Sequence, residues 1–532
     1  MLKDGKILIG RNSDGQDIYL LPQMSNRHGL VAGATGTGKT VTLKALAESF
    51  SEIGVPVFIS DVKGDISGMA AAGSLSESIK SKLSKTGLNE DNFKPQGSPV
   101  TFWDIFGEKG IPLRTTISEM GPLLLSRIMD LNDLQSNLLS IAFRIADEND
   151  LLLVDTKDLK AVLNFISENS KAFSAEYGHM SKTSLAAILR AVVALEIAGG
   201  DKFFGEPALR IQDWFQTSMD GRGMIHVLNS QSLIGNGVLY STFLLWLLSE
   251  LFETLPEVGD LEKPRMVFFF DEAHLLFNGA SKVLLEKIEQ VVKLIRSKGV
   301  GIFFCTQSPR DIPDGVLAQL GNKFEHALHA YTPSEQKAVK AAAASFRENP
   351  AFDTYDTLLS LGIGEAIVSL LDEGGVPGMA ERASILPPKC SLGSIDDSTL
   401  DAEVKKSQLF IKYHESFDPD SAYEFLMRRG LEEAAEAEKA EREAAEAKEQ
   451  AKIAKEEAKL AEKAAKEKER SEKAAAKKKA AAAKSIGNSI FGTIGREVGK
   501  SVGSGFGKFG KTLGGNAGAS LGRGILNTLF KL

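Results

Sequence analysis

Gly33-Ala34-Thr35-Gly36-Thr37-Gly38-Lys39-Thr40 follows the pattern G-x-x-x-x-G-K-[ST] of a phosphate-cradling loop. The short apolar run His28-Gly29-Leu30-Val31-Ala32 precedes it and suits a buried strand. Leu43, Leu46, Ala47 and Phe50 follow at helical spacing. Strand, glycine loop and helix thus come in the order that phosphate binding requires. The glycines Gly33, Gly36 and Gly38 let successive N–H groups turn toward phosphate oxygens, and the helix N-terminus adds its positive partial charge. Ala34, Thr35 and Thr37 complete the loop. Lys39 is expected to reach the β- and γ-phosphates, and the Thr40 hydroxyl to ligate Mg2+.

A second signal lies far downstream, in Phe268-Phe269-Phe270-Asp271-Glu272-Ala273-His274. An apolar strand ending in two carboxylates brings them to the sheet edge where a phosphate loop lies. There Asp271 would hold Mg2+ through water, and Glu272 would act as the general base on the attacking water. Cys305-Thr306-Gln307 ends the next apolar run. Its amide, Gln307, is placed to meet the γ-phosphate or the lytic water. Asp61 closes the run Val55-Pro56-Val57-Phe58-Ile59-Ser60, where it can support the nucleotide–Mg2+ site or bind loop N–H groups. Lys63 reads as a solvated charge.

Alternating strands and helices of this kind predict an α/β fold with a parallel-rich central sheet. Residues 1–22 read as a hairpin, and 23–65 with 216–390 as the nucleotide-binding core. Residues 66–215 read as a mostly helical insertion, with periods such as 123–145 and 183–197, and 391–430 as a helical end to the core. Short strands are expected at 326–331 and 365–371, and a helix at 283–296. Residues 431–484 are almost only Ala, Glu and Lys. They favour a solvated helical spacer, up to about 80 Å long at 1.5 Å per residue. They lack the apolar seam of a coiled coil. The last segment, 485–532, is Gly-rich and basic. It reads as a tail, or as a means of self-association or attachment to an anionic surface.

Hydrophobic content of 43% and charged content of 25% are those of an ordinary globular protein. The net charge of −7 gives no global attraction to nucleic acid, so any such contact must be local. Two cysteines, Cys305 and Cys390, cannot build a disulfide framework, and a cytoplasmic location is expected. The most apolar stretch, 238–252, is interrupted by Ser241, Thr242, Ser249 and Glu250. It reads as a buried helix, and no transmembrane span is expected.

The ordered set Arg27-His28, the phosphate loop, Asp61-Val62-Lys63-Gly64-Asp65, Asp271-Glu272-Ala273-His274 and Arg296-Ser297-Lys298-Gly299-Val300-Gly301 leading to Thr306-Gln307 resembles the HerA/FtsK group of RecA-like P-loop ATPases. Within that group it is most similar to the bacterial HerA-like DUF853 (YjgR-like) family. The resemblance implies a RecA-like core binding ATP and Mg2+, a hexameric homo-oligomer, and helicase or translocase action on DNA. It also implies an arginine given by a neighbouring subunit, for which Arg296 and Arg27 match by position. The other reading left open is an ATPase switch or scaffold that assembles through its tail without moving nucleic acid.

Overall fold

The computed structural model describes residues 2–233, 237–278 and 282–483. Among them thirteen strands form one sheet. In chain order these are β1 (Leu2–Lys3), β2 (Lys6–Asn12), β3 (Asp17–Leu20), β4 (Gly29–Ala32), β5 (Val57–Asp61), β6 (Val100–Asp104), β7 (Ile111–Pro112), β8 (Ile225–Asn229), β9 (Met266–Phe270), β10 (Val300–Thr306), β11 (Asn322–His326), β12 (Glu365–Ser369) and β13 (Glu381–Ile385). Their spatial order is β1-β2-β13-β12-β11-β4-β10-β9-β5-β8-β6-β7, with β3 on β2. From β11 to β7 every neighbouring pair is parallel, and β12, β13, β2 and β1 extend the sheet antiparallel.

Central strands of such a sheet are covered on both faces, so they are apolar throughout rather than alternating. Met266–Phe270 is wholly buried, as are β4, β5 and β10. The phenylalanines sort by face. Phe269 and Phe303, cross-strand partners stacked 5.1 Å apart, receive Phe50 of helix α1 (Lys39–Glu52) at 6.3 and 6.0 Å. On the other face Phe58 stacks on Trp214 at 5.0 Å, and Phe270 on Phe304 at 5.7 Å. Each such ring removes a large apolar area from water.

The apolar stretch near 238–252 is a helix, Gly237–Thr254, with Leu239, Phe243, Leu247 and Leu251 fully buried. One helical run among the described residues, Lys182–Phe203, has the length and apolarity to cross a membrane by composition. It buries Leu185, Ile188 and Val192 and is interrupted at Gly199, where φ is 97°. The expected helical period over 123–145 is two helices, Ile117–Ile128 and Asp133–Glu148. Asn132 and Gln135 form a capping box that starts the second. Residues 66–215 depart from the expected run of helices in also giving the sheet β6 and β7, five and two residues long. The strand expected at 326–331 lies earlier, at Asn322–His326. There the Asn322 amide donates to the Met24 and His28 carbonyls and sets the parallel register on β4.

After β13 the chain crosses α1. Glu48 accepts N–H bonds from Lys389 and Cys390 at 2.8 and 2.7 Å. Lys44, buried on the same helix, donates to the carbonyls of Asp65, Ser391 and Leu392 at 2.7, 3.0 and 3.0 Å. The first compact unit runs through Tyr423. The second contains most of the helix Ala422–Ala483, whose exposed surface carries i,i+4 pairs such as Arg442–Glu446 and Lys466–Glu462. The Gly-rich segment 485–532 lies outside the described residues.

Lys44→Ala would leave three main-chain carbonyls without their shared donor, and a group so stranded costs about 1–3 kcal/mol. The urea midpoint of the variant should fall accordingly. An unchanged midpoint would show that water replaces the ammonium.

Candidate nucleotide site

The phosphate loop is held in shape by its surroundings. Gly33 has φ 147° and Gly38 φ 119°, conformations that side chains rarely adopt. A Cβ on Gly33 would meet the Cβ of His326 at 2.5 Å, and one on Gly38 would meet the main chain of Gly364 at 3.2 Å. The Ala34 N–H donates to the Ala327 carbonyl at 2.8 Å, and the Gly364 N–H to the Thr37 carbonyl at 3.0 Å. Loop and sheet are therefore pinned at two points, while Thr35 and Gly36 stay exposed at the tip.

His326 anchors this floor. One ring nitrogen, Nδ1, donates to the Glu365 carbonyl at 2.8 Å, which leaves Nε2 to accept from the Thr42 hydroxyl at 2.9 Å. Burial lowers its pKa to about 4, so the imidazole is neutral at physiological pH. Sequence reasoning missed His326, whose only sign was a polar residue closing a short strand. His28 is similarly structural. It takes the Ile302 N–H on Nδ1 and gives Nε2–H to the Val292 carbonyl.

Lys39 is 7% exposed and turned back on its own loop, donating to the carbonyls of Gly33 at 2.6 Å and Ala34 at 3.0 Å. Burial depresses its pKa, the nearby Lys63 adds to that, and Glu272 and Asp271 oppose it. Thr40 is half-buried at the first turn of α1.

Asp271 and Glu272 follow β9 at the same edge, each 5% exposed. The Asp271 N–H donates to Ser60 Oγ at 3.2 Å, and the buried Tyr240 hydroxyl donates to the same oxygen at 3.0 Å. This fixes the strand end. Burial, reinforced by Glu272, pushes the Asp271 pKa up to about 6. Its Oδ2 is buried with no hydrogen-bond partner. A buried carboxylate oxygen beside a phosphate loop, with the half-buried Thr40 hydroxyl nearby in the motif, is a donor set that fits Mg2+. That ion takes one or two protein oxygens and completes its shell with phosphates and water. Among the described residues there is no cluster of three or more His, Cys, Asp or Glu able to hold a metal alone.

Glu272 has φ 48°, rare for a non-glycine residue. Its Oε1 pairs with Lys63 Nζ at 2.5 Å. Its Oε2 meets His274 Nδ1 at 3.2 Å and Gln307 Nε2 at 3.4 Å. Burial alone would raise its pKa, but Lys63, Gln307 and His274 together hold it below the ordinary glutamate value. Gln307 is exposed at the end of β10, where Asp311 ties down the turn by accepting from the Thr306 hydroxyl and the Ser308 N–H. Asp61 spends its carboxylate on the loop that follows it. Oδ1 accepts from the Lys63 and Gly64 N–H groups and Oδ2 from Ile66. Burial raises its pKa to about 7 against those bonds.

A cleft of about 690 Å3 opens over Ala34 and Thr35, bordered by His274, Gln307, Asp311 and His329. The structure gathers Lys39, Asp271, Glu272 and Gln307 at this edge. Arg27 and Arg296 are not part of it. Arg27 ends the turn before β4, and Arg296 precedes β10, so both lie at the opposite ends of those strands. For β10 that is about 23 Å of chain at 3.3 Å per residue. Arg296 is 40% exposed and faces Asp260 at 3.6 Å.

The profile of the family described as "Helicase HerA-like C-terminal" matches residues 6–512. Among curated relatives, the "DNA double-strand break repair helicase HerA" of Sulfurisphaera tokodaii is 23% identical over 383 residues, 69% of this chain and 67% of that protein. The protein of the same name from Sulfolobus acidocaldarius is 24% identical over 369 residues, 68% of this chain and 65% of that one. The matched stretches thus span about two thirds of each relative. Among solved structures, VirB4 of Thermoanaerobacter pseudethanolicus has a TM-score of 0.47 at 15% identity, covering 72% of this chain and 97% of that chain. The conjugative coupling protein TrwBdeltaN70 has a TM-score of 0.48 at 14% identity, covering 74% and 92%. Phosphate loop, carboxylate pair and parallel-rich sheet are those of a RecA-like P-loop ATPase, and by the match over residues 6–512 the chain belongs to the HerA-like helicase C-terminal family.

Proposed function

We propose that this chain is a Mg2+-dependent ATP hydrolase of the HerA/FtsK motor class that works as a homo-oligomeric ring, hexameric by resemblance, and moves on DNA. The observation that carries the reading is the meeting of Glu272 and the unpartnered Asp271 Oδ2 with Lys39 at one sheet edge. In this reading the loop N–H groups bind the phosphates, and Lys39 exchanges its bonds to Gly33 and Ala34 for the β- and γ-phosphate oxygens. Glu272 takes the proton of the attacking water, and Gln307 orients that water. Thr40 and Asp271 would hold Mg2+, which supplies charge neutralisation on the phosphate oxygens.

DNA as the polymer is supported by the names of the relatives, both DNA repair helicases. A cytoplasmic location agrees with Cys305 and Cys390, which are both buried and free. Arg296 and Arg27 lie away from their own loop, so in this reading they act on a neighbour's nucleotide across a head-to-tail interface.

ATP hydrolysis measured with and without single- and double-stranded DNA, beside sizing with nucleotide present, tests the whole reading. Stimulation by DNA in an ATP-dependent oligomer is expected; hydrolysis indifferent to DNA would favour a switch or scaffold assembling through 485–532. Glu272→Gln should bind ATP normally and lose about 10²–10⁴ in kcat, the usual worth of a general base. Lys39→Ala should lose both binding and turnover. Arg296→Ala should retain ATP and lose about 10³–10⁵ in rate, as for a trans-acting arginine. Mixed with Lys39→Ala it should regain activity, because one interface then carries both intact residues. No rescue in subunits shown to mix would count against the shared site.

A further inference from the structure

Both oxygens of the Glu272 carboxylate are engaged by the chain's own donors, and one donor differs from the others. His274 and Gln307 reach Oε2 at 3.2 and 3.4 Å from the ends of the strands on which the site is built. Lys63 reaches Oε1 at 2.5 Å from the loop after the neighbouring strand, β5. The Lys63 side chain is 43% exposed while that of Glu272 is 6% exposed. Lys63 can therefore leave for solvent at little cost, whereas Glu272 cannot follow it. The main chain around Glu272 is fixed, by the Asp271 N–H on Ser60 Oγ and the Ala273 N–H on the Cys305 carbonyl.

The loop that carries Lys63 is built as a unit. Asp61 gathers the N–H groups of Lys63, Gly64 and Ile66, and Gln231, just beyond β8, donates its amide to the Lys63 carbonyl at 2.8 Å. Lys44 of α1 holds the Asp65 carbonyl in the same loop at 2.7 Å. A shift of Asp61, Gln231 or α1 therefore bears on where the Lys63 ammonium sits. A pocket of about 240 Å3 on this loop is bordered by Lys63, Asp65, Asn229, Gln231 and Asp397.

We propose that Lys63 is a positioning residue that restrains hydrolysis, by occupying the Glu272 oxygen that the attacking water needs until the loop after β5 moves. The proposal rests on the reading of Glu272 as the general base. It gives Lys63 a role opposite to that of Lys39: one lysine binds phosphate, and the other withholds the base.

The test is ATP hydrolysis by the full chain without DNA, comparing wild type with Lys63→Met and Lys63→Arg. Release of a half-exposed ion pair should raise basal kcat by about 2–5-fold in Lys63→Met, with KM for ATP unchanged. Lys63→Arg keeps the charge and should return the restrained rate. Lys63→Gln serves as a second neutral variant, and ADP binding by each protein reports that the loop and sheet have folded. The double variant K63M/E272Q should be as inactive as E272Q alone, because any gain passes through Glu272. A fall in kcat in both neutral variants would make Lys63 an assisting group, and a rise in KM alone would make it a phosphate ligand; either result overturns the restraint. A double variant more active than E272Q would do so as well. Wild-type turnover by E272Q alone would instead remove Glu272 as the base, whatever Lys63 variants do.

Discussion

The close approach of Gly33 to His326, with no room for a Cβ between them, is the contact on which the nucleotide site depends. It lets the loop leave β4 and fold directly over β11, so that Ala34 can bond the Ala327 carbonyl. The neutral imidazole below then links β11 to α1 through Thr42 and to β12 through the Glu365 carbonyl. The loop's shape is thereby set from one flank of β4, by β11 and β12, before any phosphate binds. A site organised in advance loses less conformational freedom on binding.

The parallel run of strands does the rest. Because β5, β9, β10 and β4 point the same way, each delivers its last residues to one edge. Asp61, Asp271 and Glu272, and Thr306 and Gln307 arrive there beside the phosphate loop from three separate parts of the chain. Burial at that edge works against every charge. It raises the carboxyls of Asp61 and Asp271 and depresses Lys39; backbone N–H groups oppose it at Asp61, Lys63 opposes it at Asp271, and Glu272 and Asp271 oppose it at Lys39. Ser60 and Tyr240 stiffen the frame from beneath.

Much of this was legible because phosphate binding imposes a local pattern. The loop, its strand and its helix are contiguous, and the acidic pair ends an unbroken apolar run. What escaped was set by partners far along the chain. Lys63 looks like any charge after a strand until β9 is laid beside β5. His326 looks like a strand terminus until Gly33 is folded onto it. The strand Asn322–His326 carries Asn, Lys, Glu and His, so its apolar signal is weak and the expected strand slid toward 326–331. Strands β6 and β7 are too short to stand out between helices. Arg27 and Arg296 match the family by position alone, and here they stand at the far ends of β4 and β10 from the phosphate loop.

The segment that crosses α1 after β13 bears on where this protein can be cut. If the chain were ended with the last strand, at Ile385, Glu48 would lose both of its N–H donors, and Lys44 would lose two of the three carbonyls that hold its ammonium. Both side chains would then be exposed in a groove shaped for main chain, on the helix that begins with Lys39 and Thr40. The smallest autonomous unit is therefore not the sheet and its covering helices. It must continue past Leu392, because the residues that brace the nucleotide helix come after every strand has been laid down.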